Sequence, residues 1–132
     1  MIDAVAEYLK RLKPYASIEI IEIPECRTVD EEGEKLLSRV PAGSWICALD
    51  VHGDLMSSED LAKVIAELSL NGQSKLTFVI GGAFGISQRV REAAALRLSL
   101  SKMTFTHQMT RLILLEQIYR SFKINRGEPY HW

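Results

Sequence analysis

The sequence predicts an α/β fold built around a parallel β-sheet. Segments with strand character alternate with segments of helical periodicity along the 132 residues, a pattern typical of parallel sheets with helical crossovers. The run Trp45–Leu49 is continuously apolar up to Asp50, as expected for a strand buried on both faces. Polar and glycine-rich residues follow three of the predicted strands. A single domain of this length can bury a proper core, and we expect one domain over residues 1–132.

The helices are predicted from apolar residues at helical spacing and from residues that begin or end helices. Pro14 ends the first helix, Asp30 to Glu32 give the second an acidic first turn, and Ser57 opens the third with a capping-box-like pattern. Asn71-Gly72 ends the third helix, and Ser87 caps the fourth. The predicted helices are residues 2–12, 28–40, 57–70, 87–95 and 107–123.

The strands are predicted from short runs rich in β-branched and other apolar residues. The first, Ser17–Ile23, reads SIEIIEI and nearly alternates between apolar and polar side chains. The others are Trp45–Leu49, Leu76–Ile80 and Leu96–Leu100. Turns are expected at Pro41-Ala42-Gly43 and after Ile80.

Composition excludes several classes of protein. The apolar and charged fractions, 47% and 25%, are those of a globular protein. No apolar run approaches the length of a membrane span, and the N-terminal stretch is amphipathic rather than signal-like because Asp3 and Glu7 interrupt it. Cys26 and Cys47 have no metal-binding spacing. We expect both to be reduced thiols in a cytoplasmic protein.

The charge is nearly balanced overall but divided along the chain. Residues 1–88 hold eight Lys and Arg against fourteen Asp and Glu, whereas residues 89–126 hold eight against two. Such a basic segment predicts an electrostatic footprint for a polyanion such as nucleic acid. A set of solvated helix faces explains the same residues equally well.

Three predicted strand ends carry residues suited to a common ligand pocket, namely residues 49–53, 81–85 and 101–105. The glycine turn, G-G-x-x-G, matches neither the dinucleotide fingerprint nor the P-loop. Its glycines either let a ligand approach the backbone or only make a tight turn. If a ligand lies there, a bulky residue at Gly81 should block the pocket and leave the fold intact.

The loop Ser101–Thr106 and the last helix leave further alternatives open. Backbone groups of the loop could clamp an adenine edge while Met103 and Phe105 cover the ring, or these two side chains are simply core. Leu112–Leu115 is apolar on nearly every face and is expected to be buried in a core or between subunits. We expect an ordered tail over Arg126–Trp132. His52 and His107 have no metal-site spacing, and no metal is expected.

Four segments resemble the ribosomal RNA large-subunit methyltransferase H family of the SPOUT class. They are FVIGGAFG (Phe78–Gly85), LSLSKMTFTHQMTRLILLEQIYRSFKI (Leu98–Ile124), RGEPYH (Arg126–His131) and EYLKRLKPY (Glu7–Tyr15). The resemblance implies a parallel-sheet SPOUT fold with a C-terminal deep trefoil knot, an exception to the rule against knots. It also implies an obligate homodimer that binds S-adenosylmethionine and methylates N3 of a pseudouridine in 23S rRNA. Family members begin with a strand and a Gly-Lys loop that are missing here, and Glu25–Gly33 is shorter than usual.

Carried over residue by residue, the resemblance assigns the S-adenosylmethionine contacts to Leu49, Gly81, Leu100, Ser101, Lys102, Met103, Thr104 and Phe105. It places Arg126, Tyr130 and His131 at the target base, across the dimer interface. Removing the N3 proton calls for a base and a group that stabilises the developing anion. His131 is the expected base and Arg126 the expected anion stabiliser, while Tyr130 stacks on or hydrogen-bonds the target base.

Two other classes of protein fit parts of this pattern. One is a non-catalytic RNA- or ribosome-binding module that keeps the knotted fold. The other is a flavodoxin-like nucleotide-binding protein. Binding of S-adenosylmethionine separates the enzyme from the flavodoxin-like protein.

Overall fold

The structure, a computed structural model, describes residues 2–130. Its helices are α1 (Ile2–Leu12), α2 (Val29–Ser38), α3 (Ser58–Leu70), α4 (Gln88–Ala93) and α5 (His107–Asn125). Its strands are β1 (Trp45–Leu55), β2 (Leu76–Ile80) and β3 (Leu96–Ser99). The described residues form two compact units. The sheet unit comprises residues 21–55 and 73–107, and the helical unit comprises residues 2–20, 56–72 and 108–130.

The sheet unit contains a three-stranded parallel sheet in the order β2-β1-β3. The predicted α/β class with a parallel sheet is therefore confirmed. The central strand β1 is fully covered over Cys47 and Ala48, as its unbroken apolar sequence predicts.

The core of the sheet unit forms where α4 and the residues before it cover β1 and β2. Its buried members are Ala48, Val79, Ile86 and Val90. Helix α2 packs closely at Gly33, where a Cβ atom would lie only 2.1 Å from the Ser87 hydroxyl oxygen. That hydroxyl accepts the Val90 N–H and caps α4. A glycine in α2 thus allows a helix cap to be buried at the contact.

All five predicted helices are present, and two begin at the predicted caps, Ser57 and Ser87. Thr28 and Ser87 each accept a backbone N–H from the residue three positions on. Ser57 accepts the Asp60 N–H at 3.0 Å while the Asp60 carboxylate accepts the Ser57 N–H at 3.4 Å, a complete capping box. Local side-chain chemistry is sufficient to fix where these helices begin.

The prediction of a strand over Ser17–Ile23 is wrong. Residues 16–26 lie in neither a helix nor a strand, and Ile20 and Ile21 are more than a third exposed. β-Branched residues favour an extended backbone, but a strand also needs a neighbour to complete its hydrogen bonds. Within residues 2–130, no segment pairs with this one.

The strand predicted to end at Leu49 runs on to Leu55. It continues because the chain bulges after Leu49 and then rejoins β3. Leu49 and Asp54 both pair with Leu98, and Leu55 pairs with Ser99. Local sequence gives no sign of this second stretch, since Val51–Leu55 contains polar residues and a glycine.

The helical unit is held by aromatic and polar contacts of α5. The Tyr15 ring stacks on Phe122 with centroids 5.6 Å apart, and Tyr8 meets Tyr119 edge to face at 6.0 Å. The Asn125 side-chain amide donates to the Ala62 carbonyl at 3.0 Å. None of the helices within residues 2–130 is both long and apolar enough to cross a membrane.

The apolar run in α5 is only partly buried within the chain. Leu114 and Leu115 are buried, whereas Leu112 and Ile113 keep intermediate exposure. Burial on all sides, as its sequence predicts, is therefore not reached within the single described chain.

Candidate functional site

The register of the sheet brings three predicted ligand-binding segments to one edge. Leu49 of β1 pairs with Ile80 of β2 on one side and with Leu98 of β3 on the other. Gly81 directly follows Ile80, and the loop that begins at Leu100 follows shortly after Leu98. Because all three strands are parallel, β2 and β3 end at this carboxyl edge, where such sheets bind ligands, whereas β1 bulges after Leu49 and runs on to Leu55.

The glycine segment after β2 is a tight turn. The Gly85 N–H donates to the Gly82 carbonyl at 3.1 Å, and Gly85 has a φ of +86°, a conformation that favours glycine. The Gly82 N–H donates to the Glu32 carboxylate of α2 at 3.0 Å. The segment therefore makes a tight turn, and approach of a ligand to its backbone stays a prediction.

Gly81 is required by this turn itself. A Cβ atom at Gly81 would lie 2.5 Å from the Gly85 carbonyl oxygen and 2.8 Å from a methyl group of Ile86. A larger side chain would therefore force the turn apart. The expectation that a bulky residue at Gly81 leaves the fold intact is wrong, and such a variant cannot test a ligand pocket on its own.

The loop after β3 is shaped by two serines. The Ser99 hydroxyl donates to the Ser101 carbonyl at 2.9 Å, and the Ser101 hydroxyl accepts the Met103 N–H at 3.0 Å. Met103 is 75% exposed and Phe105 is 40% exposed. The interpretation of these two side chains as core is wrong within this chain, and both are available to cover an apolar ligand surface.

Sequence reasoning missed the buried acid at this edge, Asp50. Its side chain is only 4% exposed and accepts three hydrogen bonds. One carboxylate oxygen accepts the His52 N–H at 3.0 Å, and the other accepts from Arg91 of α4 at 3.3 Å and from Arg97 of β3 at 3.4 Å. The one available signal was an aspartate that directly follows an apolar strand.

The environment of Asp50 favours its ionised form. Burial acts to raise the pKa of its carboxyl group, but the His52 N–H and the two guanidinium groups outweigh burial and hold the pKa below its ordinary value. Arg91 and Arg97 are partly exposed and share this one buried carboxylate, so positive charge faces water at this edge.

Ion pairs within the chain reduce the predicted basic footprint. At least five of the eight basic residues in the segment 89–126 have an acidic partner. They are Arg89, Arg91, Arg97, Arg120 and Lys123. The charge asymmetry seen in the sequence is therefore smaller on the surface.

The tail is ordered as far as the structure describes it. Arg120 donates to the Tyr130 carbonyl at 3.0 Å and also pairs with Glu116 of the same helix. The Arg126 guanidinium lies 4.5 Å from the centroid of the Tyr15 ring, a cation–π contact. The expectation of an ordered tail is confirmed for residues 126–130. His131, the expected base, lies outside the described residues.

Glu128 adds a second attachment of the tail. Its carboxylate accepts from Lys123 at 3.2 Å and from the Tyr15 hydroxyl at 3.3 Å. The hydrogen bond to Glu128 raises the pKa of Lys123, and the same bond lowers the pKa of Glu128. A pocket of about 200 Å³ adjoins the tail in the helical unit, lined by Tyr8, Arg11, Glu116, Tyr119, Arg120, Lys123, Pro129 and Tyr130.

The Cys47 side chain is fully buried in the sheet unit. Burial raises the pKa of the Cys47 thiol to about 12, so this thiol stays protonated and unreactive at neutral pH. No three His, Cys, Asp or Glu side chains in the described part of the chain are grouped to hold a metal ion.

Comparison with known proteins identifies close relatives over the full chain. The sequence model of a family described as predicted SPOUT methyltransferases matches residues 1–131. A protein of Pelotomaculum thermopropionicum is 50% identical, over 100% of this chain and 90% of the relative. Proteins of Carboxydothermus hydrogenoformans and Halothermothrix orenii are 50% and 51% identical, over 98% and 96% of this chain and 89% and 87% of each relative. All three are named ribosomal RNA large subunit methyltransferase H.

The ionised Asp50 should make stability depend on pH. Because the pKa of Asp50 is lowered on folding, its contribution is present above the unfolded value of about 4 and is lost as pH falls through the folded value. At pH 7, Asp50→Asn should lower the free energy of unfolding by about 1–3 kcal/mol. The difference from the wild type should shrink below about pH 4, as measured by denaturant unfolding.

Glu34→Gln is the matched control. It removes the same charge from an exposed pair with Arg89 and should change stability by less than about 1 kcal/mol at any pH. An Asp50→Asn protein as stable as the wild type at pH 7 would contradict the proposed role of the buried carboxylate.

Proposed function

This chain belongs to the SPOUT methyltransferase family, and we propose that it is a ribosomal RNA methyltransferase. It transfers a methyl group from S-adenosylmethionine to N3 of a pseudouridine in 23S rRNA of the large subunit. The proposal takes its reaction class from the family and its substrate from the names of relatives that are about 50% identical over nearly the whole chain.

One observation of the fold carries the proposal, namely that the bulge of β1 and the ends of β2 and β3 meet at one edge of the sheet. Leu49 lies where β1 bulges, in register with Ile80 and Leu98, and Gly81 and the loop Leu100–Phe105 follow these two partners in the chain. Leu49, Gly81 and this loop are the segments that the family resemblance assigns to the methyl donor. A site built on three hydrogen-bonded neighbouring strands is rigid enough to align a small donor with its acceptor.

The residues at this edge fit S-adenosylmethionine. Exposed Met103 and Phe105 offer apolar surface for an adenine ring, whereas Leu49 is buried, with 9% exposure. The backbone groups of Leu100–Phe105 supply hydrogen bonds for the ring edge. When bound, the cofactor supplies an activated methyl group on a sulfonium centre.

The protein's own residues have to align the acceptor and remove one proton. N3 of the pseudouridine forms a bond to the methyl carbon and loses its proton, and S-adenosylhomocysteine is released. His131 takes that proton, Arg126 stabilises the developing negative charge, and Tyr130 stacks on or hydrogen-bonds the base. Attachment of residues 126–130 through Arg120, Tyr15 and Lys123 supports an ordered tail for this task.

The remaining features of the proposal follow the family. The C-terminal segment forms a deep trefoil knot, the protein is a cytoplasmic homodimer, and its substrate is 23S rRNA within the large subunit or the assembled ribosome. A non-catalytic RNA- or ribosome-binding module is less favoured, because the matched family and the relatives' names describe methyltransferases.

Transfer of a labelled methyl group tests the function directly. Ribosomes and free large subunits that lack the modification are incubated with the protein and tritiated S-adenosylmethionine, and the 23S rRNA is mapped by nuclease digestion and mass spectrometry. One N3-methylpseudouridine is the expected product. Donor binding without transfer would favour the non-catalytic module, and failure to bind the donor would favour the flavodoxin-like alternative.

Variants of the tail test the roles of its residues. His131→Ala should lower the rate of methyl transfer by about a hundredfold to ten-thousandfold, because a general base is lost. Its residual activity should rise with pH, since hydroxide then removes the N3 proton. Arg126→Ala should also lower the rate severely, while the affinity for S-adenosylmethionine changes little in both variants.

Two control variants distinguish a loss of the chemical step from a loss of the contacts that attach the tail. Arg126→Lys keeps a positive charge, and Tyr15→Phe keeps the ring beneath Arg126 but removes the hydroxyl that donates to Glu128. If the tail only stabilises the dimer, His131→Ala and Arg126→Ala should lose donor binding and dimerisation together. Wild-type turnover in both variants would rule out a catalytic tail.

The proposed homodimer predicts a mass twice that of the 14.9 kDa chain. Residues 112–119 of α5 are expected to contribute to the interface, because Leu112 and Ile113 keep exposed apolar surface. Size-exclusion chromatography with light scattering measures the mass over a range of concentrations. A stable monomer at all concentrations would contradict the dimer.

A further inference from the structure

The central strand departs from regular pairing next to the proposed donor site. Leu49 and Asp54 both pair with Leu98, so residues 50–53 bulge out of the sheet. The bulge passes so close to β3 that a Cβ atom at Gly53 would lie 2.5 Å from the Arg97 carbonyl oxygen. Bulges are commonly found next to active sites, where they re-aim the backbone.

Asp50 is the residue that ties this bulge to its surroundings. Its carboxylate accepts the His52 N–H within the bulge, Arg91 from α4 and Arg97 from β3. Each contact joins a different segment. β1 bulges here, α4 follows the glycine turn, and β3 leads into the loop that begins at Leu100. A buried carboxylate with three donors has little freedom to move.

We propose that Asp50 is a positioning residue for the methyl donor. It holds the bulge 50–53 and the adjoining strand ends in place. The inference rests on the proposed function, since the donor contacts at Leu49 and Leu100–Phe105 belong to it. Asp50 itself touches none of the reacting atoms. Its effect is on where the backbone at these segments lies, and binding contacts depend on supporting interactions that hold them in place.

Asp50→Asn is the informative substitution because it keeps the size of the side chain. Its amide oxygen can still accept the His52 N–H, but its NH₂ group then faces the donor groups of Arg91 and Arg97. The arginines lose their acceptor and are free to turn toward water, since both are already about a third to a half exposed. The bulge would then be held on one side only.

The experiment compares donor affinity with turnover. Calorimetric titration with S-adenosylmethionine and with S-adenosylhomocysteine should show at least about tenfold weaker binding for Asp50→Asn. The KM for the donor should rise by a similar factor, while kcat at saturating donor changes less than about twofold because Asp50 makes no contact with the reacting atoms. Arg97→Gln, which leaves the His52 and Arg91 contacts in place, should show a smaller loss in the same direction.

A stability control decides between positioning and general weakening of the fold. Val79→Ala removes two methyl groups from the core of the sheet unit and leaves the three contacts of Asp50 intact. All variants are assayed well below their unfolding midpoints. Equal losses of donor affinity in Val79→Ala and Asp50→Asn, or wild-type affinity in Asp50→Asn, would overturn the inference.

Two further outcomes are distinguishable. If Asp50→Asn does not fold, Arg97→Gln with wild-type affinity would overturn the inference, and weaker binding with kcat retained would support it. If the wild type binds neither ligand, the proposed function fails, and this inference fails with it. If the wild type binds both ligands and only the Asp50 result is negative, the proposed function stands without this inference.

Discussion

Parallel pairing of the central strand with both of its neighbours is the constraint on which the candidate site depends. β1 contributes Leu49, and the register sets Ile80 on one side of it and Leu98 on the other. Parallel strands end at the same edge, so segments that are far apart in sequence become adjacent there. The glycine turn and the loop after β3 are then placed by the strands that they follow.

Hydrogen bonds between main-chain and charged groups stabilise this edge of the sheet. The Glu32 carboxylate of α2 accepts the Gly82 N–H. The Asp50 carboxylate links the bulge to α4 and β3. Both carboxylates accept hydrogen bonds from groups on other elements, so each links a loop or bulge to another part of the sheet unit. Burial of an ionised carboxylate is tolerated only because its acceptor sites are satisfied.

In the helical unit, side-chain contacts order the tail. Residues 126–130 contain no regular secondary structure beyond the turn after α5, yet Arg120, Lys123 and Tyr15 each contact them. Glu116 and Arg120 form an ordinary pair along the helix, but Arg120 also donates to the Tyr130 carbonyl. An interaction that looks local in sequence therefore also fixes the direction of the tail.

The sequence by itself determined the helices, their caps, three of the strands and the parallel class of the sheet, because periodicity and side-chain capping act over a few residues. It also predicted the strand ends as a site, and the resemblance to the SPOUT methyltransferases was confirmed by a match over nearly the whole chain. Only the tertiary structure decided that Ser17–Ile23 forms no strand, that Gly81 serves its own turn, and that Asp50 is a buried junction. Each of these outcomes depends on which other part of the chain lies beside the residue. A local sequence pattern does not specify that neighbour.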